Sequence, residues 1–75
     1  MSLPIVLKMT RQKALQTQEM FAKEIKVSVA TINRWETGRT KPNLSAMRSL
    51  KDFCEKHDLS YSDIEKEWFK SELEE

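Results

Sequence analysis

Val29, Ala30, Asn33, Arg34 and Thr37 stand at i, i+1, i+4, i+5 and i+8. On a helix that spacing gathers them into one stripe, and the stripe contains no acidic side chain. The chemistry it offers is directed hydrogen bonding. The Arg34 guanidinium presents paired N–H donors that match guanine O6 and N7, and the Asn33 amide can pair with adenine in the same two-point manner. Val29 and Ala30 can pack on a thymine methyl, and a helix of this size fits the major groove of DNA. Taken alone, the two apolar residues would equally suit a hydrophobic patch for a protein partner.

Other chemistry finds little support. Cys54 and His57 stand at i and i+3 and could meet one metal ion, but a structural zinc site needs four ligands and the chain has one Cys and one His. His57 is followed directly by Asp58; neighbours in sequence diverge on a helix, and no nucleophile completes a catalytic set. A single Gly rules out a P-loop or a dinucleotide-binding glycine motif. The expectation is a protein that is not an enzyme, with no cofactor and no metal.

The elements that must position the stripe can be read from caps and periodicity. Pro4 suits a first helical turn, and a helix is expected from Pro4 to Ala14 with Leu7, Met9, Ala14 and Leu15 as its apolar residues. Thr17 is an N-cap, with Glu19 in the first turn, for a second helix from Gln18 to Ile25 whose inner face is Phe21, Ala22 and Ile25. Lys26-Val27-Ser28 connects it to a third helix. Ser28 caps that helix, and Val27 and Ile32 occupy the two positions of a hydrophobic staple. Ile32 and Trp35 mark its buried face. It ends near Thr37, with Gly38 placed to adopt a left-handed conformation. Arg39-Thr40-Lys41-Pro42 follows as a basic, extended loop. Asn43 caps a fourth helix lined by Leu44, Met47, Leu50 and Cys54, with Ala46 and Phe53 beside them, ending around Lys56 to Asp58. Ser60 or Ser62 caps a fifth, Ser62 and Glu65 having capping-box spacing, with Tyr61, Ile64 and Trp68 as its apolar face. That face either packs on the domain or pairs two copies of it. Residues 71–75 are expected to fray.

Two short helices joined by three residues, with small Ala22 where they cross, form a helix-turn-helix unit at about residues 18–36. Ile25 and Ile32 would plug the space between the helices, and Trp35 would seat the second on the rest of the domain.

At 75 residues with 33% charged and 39% hydrophobic composition, one domain spanning 1–75 is expected, with no room for a separate ligand-sensing domain. One Gly and two Pro suit helices rather than many β turns. A single Cys fits a reducing, cytoplasmic setting. The longest apolar run, Leu3 to Leu7, is too short to span a membrane. The net charge of +1 conceals an asymmetry: residues 1–41 carry eight basic and three acidic groups, residues 42–75 five basic and nine acidic. Either one face meets a polyanion and the other does not, or both are ordinary solvated surfaces.

Thr17-Gln-Glu-Met-Phe-Ala22, Val27-Ser28, Thr31-Ile-Asn-Arg-Trp-Glu-Thr-Gly38 and Lys41-Pro42 together resemble the helix-turn-helix XRE family, of the Cro and phage-repressor type. The resemblance runs over roughly residues 9 to 64, with its core at 17–42; residues 60–75 are expected to be a C-terminal helix and acidic tail of the same domain. It implies a compact, all-α, five-helix lambda-repressor-like domain that binds a double-stranded DNA operator, usually as a homodimer. It implies that Gln18 contacts a phosphate, that Thr37, Arg39 and Lys41 do so from the far side, and that Arg11 pairs with Glu36. Thr31 is a further phosphate candidate. In two places the chain departs from the family pattern. Lys26 stands where Gly is usual, so a residue with a side chain would carry positive φ there at about 1 kcal/mol. Gln16 stands where an apolar residue is usual, in a loop one residue short.

The function these residues imply is that of a sequence-specific transcriptional regulator of prokaryotic or phage type, a repressor acting by occupying its operator. The alternative is an antitoxin or protein-interaction module whose acidic segment 52–75 binds a partner protein.

Overall fold

A computed structural model describes residues 2–73, and the side chains of residues 2–71. Five helices follow one another: α1 (Leu3–Lys13), α2 (Gln18–Ile25), α3 (Val29–Glu36), α4 (Leu44–Lys56) and α5 (Ser62–Leu73), with no strand among the described residues. α1 packs on α3 and α5, and α2 packs on α3 and α4. No helix is long and apolar enough to cross a membrane.

Side-chain caps start three of the helices where the sequence places them. Thr17 Oγ1 accepts from the Met20 N–H at 3.1 Å, Ser28 Oγ from the Thr31 N–H at 3.1 Å, and Asn43 Oδ1 from the Ala46 N–H at 2.9 Å. Each satisfies an N–H that the helix itself leaves without a partner. α5 departs from expectation. Ser62 is its first helical residue, with its hydroxyl 3.1 Å from that of Ser60, so Ser62 and Glu65 do not form a capping box. The helix runs on to Leu73, through part of the segment expected to fray; residues 74–75 lie outside the described residues.

The four helices α1 to α4 stop in the same way. A residue with left-handed φ follows each: Leu15 (57°), Lys26 (63°), Gly38 (78°) and Asp58 (55°). The next N–H then reaches back five residues, Gln16 to Arg11 O, Val27 to Ala22 O, Arg39 to Arg34 O and Leu59 to Cys54 O, at 2.8–3.2 Å. This closure satisfies carbonyls at the helix end and is favoured by glycine, which lacks the Cβ that crowds the left-handed region. Glycine occupies one of the four sites.

The core is drawn from all five helices. Phe21, Ile32, Leu50, Cys54 and Ile64 are fully buried, and the Phe21 and Phe53 rings meet edge to face at 4.8 Å between α2 and α4. The inner face of α1 is Leu3, Val6, Leu7 and Thr10, with i, i+3, i+4, i+7 spacing, rather than Leu7, Met9, Ala14 and Leu15. Leu15 is 88% exposed because the left-handed turn that ends α1 turns its side chain away from the core. Buried Thr10 is satisfied by donating to the Val6 carbonyl at 2.8 Å. Leu44 is also exposed, contrary to expectation. The buried face of α4 is centred on Ala46, Leu50, Phe53 and Cys54, and Leu44 lies to one side of it. Tyr61 packs against the core, which Ile64 and Trp68 enter, and the Trp68 indole donates to the Pro42 carbonyl at 2.7 Å, tying α5 to the loop after α3.

Candidate nucleic-acid interface

Ala22 on α2 is 2% exposed, and α2 packs on α3 and α4, so a larger side chain there would push against its neighbours. Ile25, Ile32 and Trp35 are buried beside it. The turn between the helices depends on Lys26, whose φ and ψ of 63° and 45° lie in the left-handed region. The sequence thus makes a family-type turn with a lysine in place of a glycine.

A network of polar contacts holds the last turn of α3. Arg11 Nε and Nη2 donate to the two Glu36 carboxylate oxygens at 2.8 and 2.9 Å, and Gln18 Nε2 donates to Glu36 Oε1 at 3.2 Å. Arg11 Nη1 also donates to the Gln16 carbonyl at 2.9 Å. The two-point pair is largely buried, with side-chain exposures of 12% for Arg11 and 4% for Glu36. The Glu36 hydrogen bond outweighs burial and holds the Arg11 guanidinium above its ordinary pKa, so it stays charged. One carboxylate therefore joins the end of α1, the start of α2 and the end of α3.

The opposite side of α3 is open. Val29, Ala30, Asn33, Arg34 and Thr37 are all exposed, and the helix periodicity brings them onto one surface. The Thr37 hydroxyl donates to the Asn33 carbonyl at 2.8 Å, so its proton is already committed within the helix. Gln18, half-buried at the start of α2, donates one of its two amide protons to Glu36. Arg39 is exposed and Lys41 half-buried in the loop that follows α3. Thr31 is half-buried, and its Oγ1 lies 2.9 Å from Ser28 Oγ and accepts from Arg34 Nη2 at 3.3 Å.

One cluster has no counterpart in the sequence reading. Glu24 on α2 receives Gln16 Nε2 at 2.9 Å and lies 2.8 Å from His57 Nε2 and 3.8 Å from Lys56 Nζ at the end of α4. Burial would raise the Glu24 pKa, but the hydrogen bonds from Gln16 and His57 and the charges of His57 and Lys56 together bring it below its ordinary value. Glu24 and His57 are 33 residues apart, so no local spacing could have announced the contact. Cys54 faces elsewhere, donating to the Ser60 carbonyl at 3.9 Å, and burial pushes its thiol up to about 11. His57 and Cys54, considered together as metal ligands from their spacing, are thus engaged by different partners.

The family described as helix-turn-helix matches residues 7–57, which is more than half of the chain. No curated protein and no solved structure matches at a significant level. With α2, the left-handed turn and α3 in place within that span, the chain belongs to the XRE-type helix-turn-helix family of DNA-binding regulatory domains.

Proposed function

We propose that this protein is a sequence-specific transcriptional regulator that represses by occupying its operator, with α3 in the major groove. Arg34 is the main base-reading residue, with Asn33, Val29 and Ala30 beside it, and Gln18, Thr37, Arg39 and Lys41 meet phosphates. The observation that carries this reading is the acid-free, exposed stripe on a helix whose other side is buried by Ile32 and Trp35 and tied at Glu36. The protein acts in the cytoplasm as a homodimer on a pseudo-palindrome whose half-site centres lie about one helical turn, roughly 34–36 Å, apart. Selection from a random duplex library tests it. A defined, two-fold-related motif is expected, with affinity falling by about 10³–10⁵ between roughly 50 and 200 mM salt if about 6–10 phosphates are neutralised. Recovery of DNA without sequence preference, or a flat salt response, overturns it.

A second reading, an antitoxin or interaction module whose segment 52–75 binds a partner protein, draws on Phe69, 54% exposed on the acidic α5. Under it, Phe69→Ala abolishes partner capture and leaves DNA binding intact.

A further inference from the structure

Ser28, Thr31 and Arg34 stand at i, i+3 and i+6, one above the other along the side of α3. Their polar atoms are in contact. Ser28 Oγ accepts from the Thr31 N–H at 3.1 Å and lies 2.9 Å from Thr31 Oγ1, which accepts from Arg34 Nη2 at 3.3 Å. Whichever hydroxyl donates to the other, Thr31 Oγ1 keeps a lone pair for the guanidinium. The chain of contacts is anchored in the backbone, because the Ser28 oxygen is the N-cap of the helix.

The contact restrains an otherwise free side chain. Arg34 is exposed, and an exposed arginine samples many rotamers that must be given up on binding. The bond to Thr31 draws the guanidinium back toward the N-terminal end of α3, the direction in which long helical side chains already lean. Val29 and Ala30 are at that end. The guanidinium has five N–H donors, so one committed to Thr31 leaves four, enough for a two-point contact with a base.

We propose that Thr31 is a positioning residue for base reading: through the Ser28 cap it holds the Arg34 guanidinium over the first turn of α3, and so sets the sharpness of sequence discrimination rather than contributing a phosphate contact. This rests on the assignment of Arg34 as the base reader and replaces the phosphate role considered for Thr31.

The test uses the full chain and the DNA sequence enriched from a random duplex library, compared with its single-base variants. Thr31→Val keeps the shape and removes the oxygen. Discrimination at the base read by Arg34 is expected to fall about 3- to 10-fold, the cost of ordering one rotamer-rich side chain, with the salt dependence unchanged. Thr31→Ser restores the oxygen and is expected to restore discrimination. Thr31→Ala repeats the test without the β-branch, and thermal unfolding of each variant confirms that it is folded. Combined with Arg34→Ala, Thr31→Val is expected to have no further effect on base preference. If Thr31→Val leaves discrimination intact while the slope of log affinity against log salt falls by about 0.9, Thr31 is a phosphate contact and the positioning role is overturned. If Arg34→Ala itself leaves base preference unchanged, the assignment of Arg34 is wrong and the role of Thr31 fails with it; if Arg34→Ala relaxes preference and Thr31→Val does not, the positioning role alone fails.

Discussion

The two sides of α3 are held in opposite ways. Inward, Ile32 and Trp35 are 0% and 4% exposed, and Glu36 receives three hydrogen bonds from Arg11 and Gln18. Outward, Val29, Ala30, Asn33 and Arg34 face solvent, and the contact that restrains Arg34 is a single bond to Thr31. The difference separates two tasks. The inner side fixes where the helix sits, so that DNA binding need not order the backbone; the outer side is left to side chains that can be exchanged without unfolding the domain. Substitutions on the inner side should therefore act on stability, and those on the outer side on recognition.

Trp35→Ala is expected to be the most damaging, costing about 3–5 kcal/mol of folding stability from lost burial and the cavity left behind. Urea denaturation measures it, and a loss below about 1 kcal/mol would mean that Trp35 does not seat α3. Glu36→Gln comes next, at about 2–3 kcal/mol, because it leaves a largely buried Arg11 guanidinium without its carboxylate. If the same denaturation experiment shows no change for Glu36→Gln, the tie between α1 and α3 contributes nothing to stability.

The left-handed stops supply smaller effects with opposite signs. Lys26→Gly and Leu15→Gly are each expected to stabilise by about 0.5–1 kcal/mol, since glycine relieves the crowding of a side chain at positive φ. Gly38→Ala should cost a similar amount. A Cβ there would meet Pro4 Cγ at 3.5 Å, an ordinary contact, so the penalty comes from the backbone conformation alone. Thermal unfolding of the three variants distinguishes this from a packing effect, which would make Gly38→Ala the outlier.

Acid provides a further probe. Glu24 has a lowered pKa in the folded protein, below its ordinary 4.5. Its contribution to stability is therefore present above the unfolded pKa and is lost as pH falls through the folded one. Glu24→Gln is expected to flatten the acid limb of the stability profile; an unchanged limb would show that the contacts among Gln16, Glu24 and His57 are not maintained in solution.

How much of this was legible follows from the distance over which each feature is decided. The limits of α2 are those read from sequence, and α3 has its expected Ser28 cap and ends one residue before Thr37, because Thr17 and Ser28 cap N–H groups three residues on and Gly38 carries the left-handed turn. The left-handed turn at Lys26 was legible through the family's usual glycine. Leu15 and Asp58 make the same turn without a glycine, so no residue type announces it, and periodicity alone assigns Leu15 to an apolar face. Leu44 is exposed although periodicity puts it on the apolar side, because periodicity gives relative angles along a helix and not the centre of the buried face, which depends on what packs against it. The outward stripe of α3 could be read because Ile32 and Trp35 fix the inward direction. The Arg11–Glu36 pair, 25 residues apart, came from the resemblance, and the contacts of Gln16, Glu24 and His57 had neither local spacing nor resemblance to reveal them.

Whether an exposed side chain on α3 reads bases is decided by replacing Arg34. Binding of wild-type and Arg34→Ala protein is measured on the selected operator and on random duplex. The expected result is a loss of about 1–3 kcal/mol on the operator with specificity relaxed at one base position per half-site, a much smaller loss on random DNA, and folding stability within about 0.5 kcal/mol of wild type. Equal proportional losses on both DNAs would make Arg34 a phosphate anchor rather than a base reader.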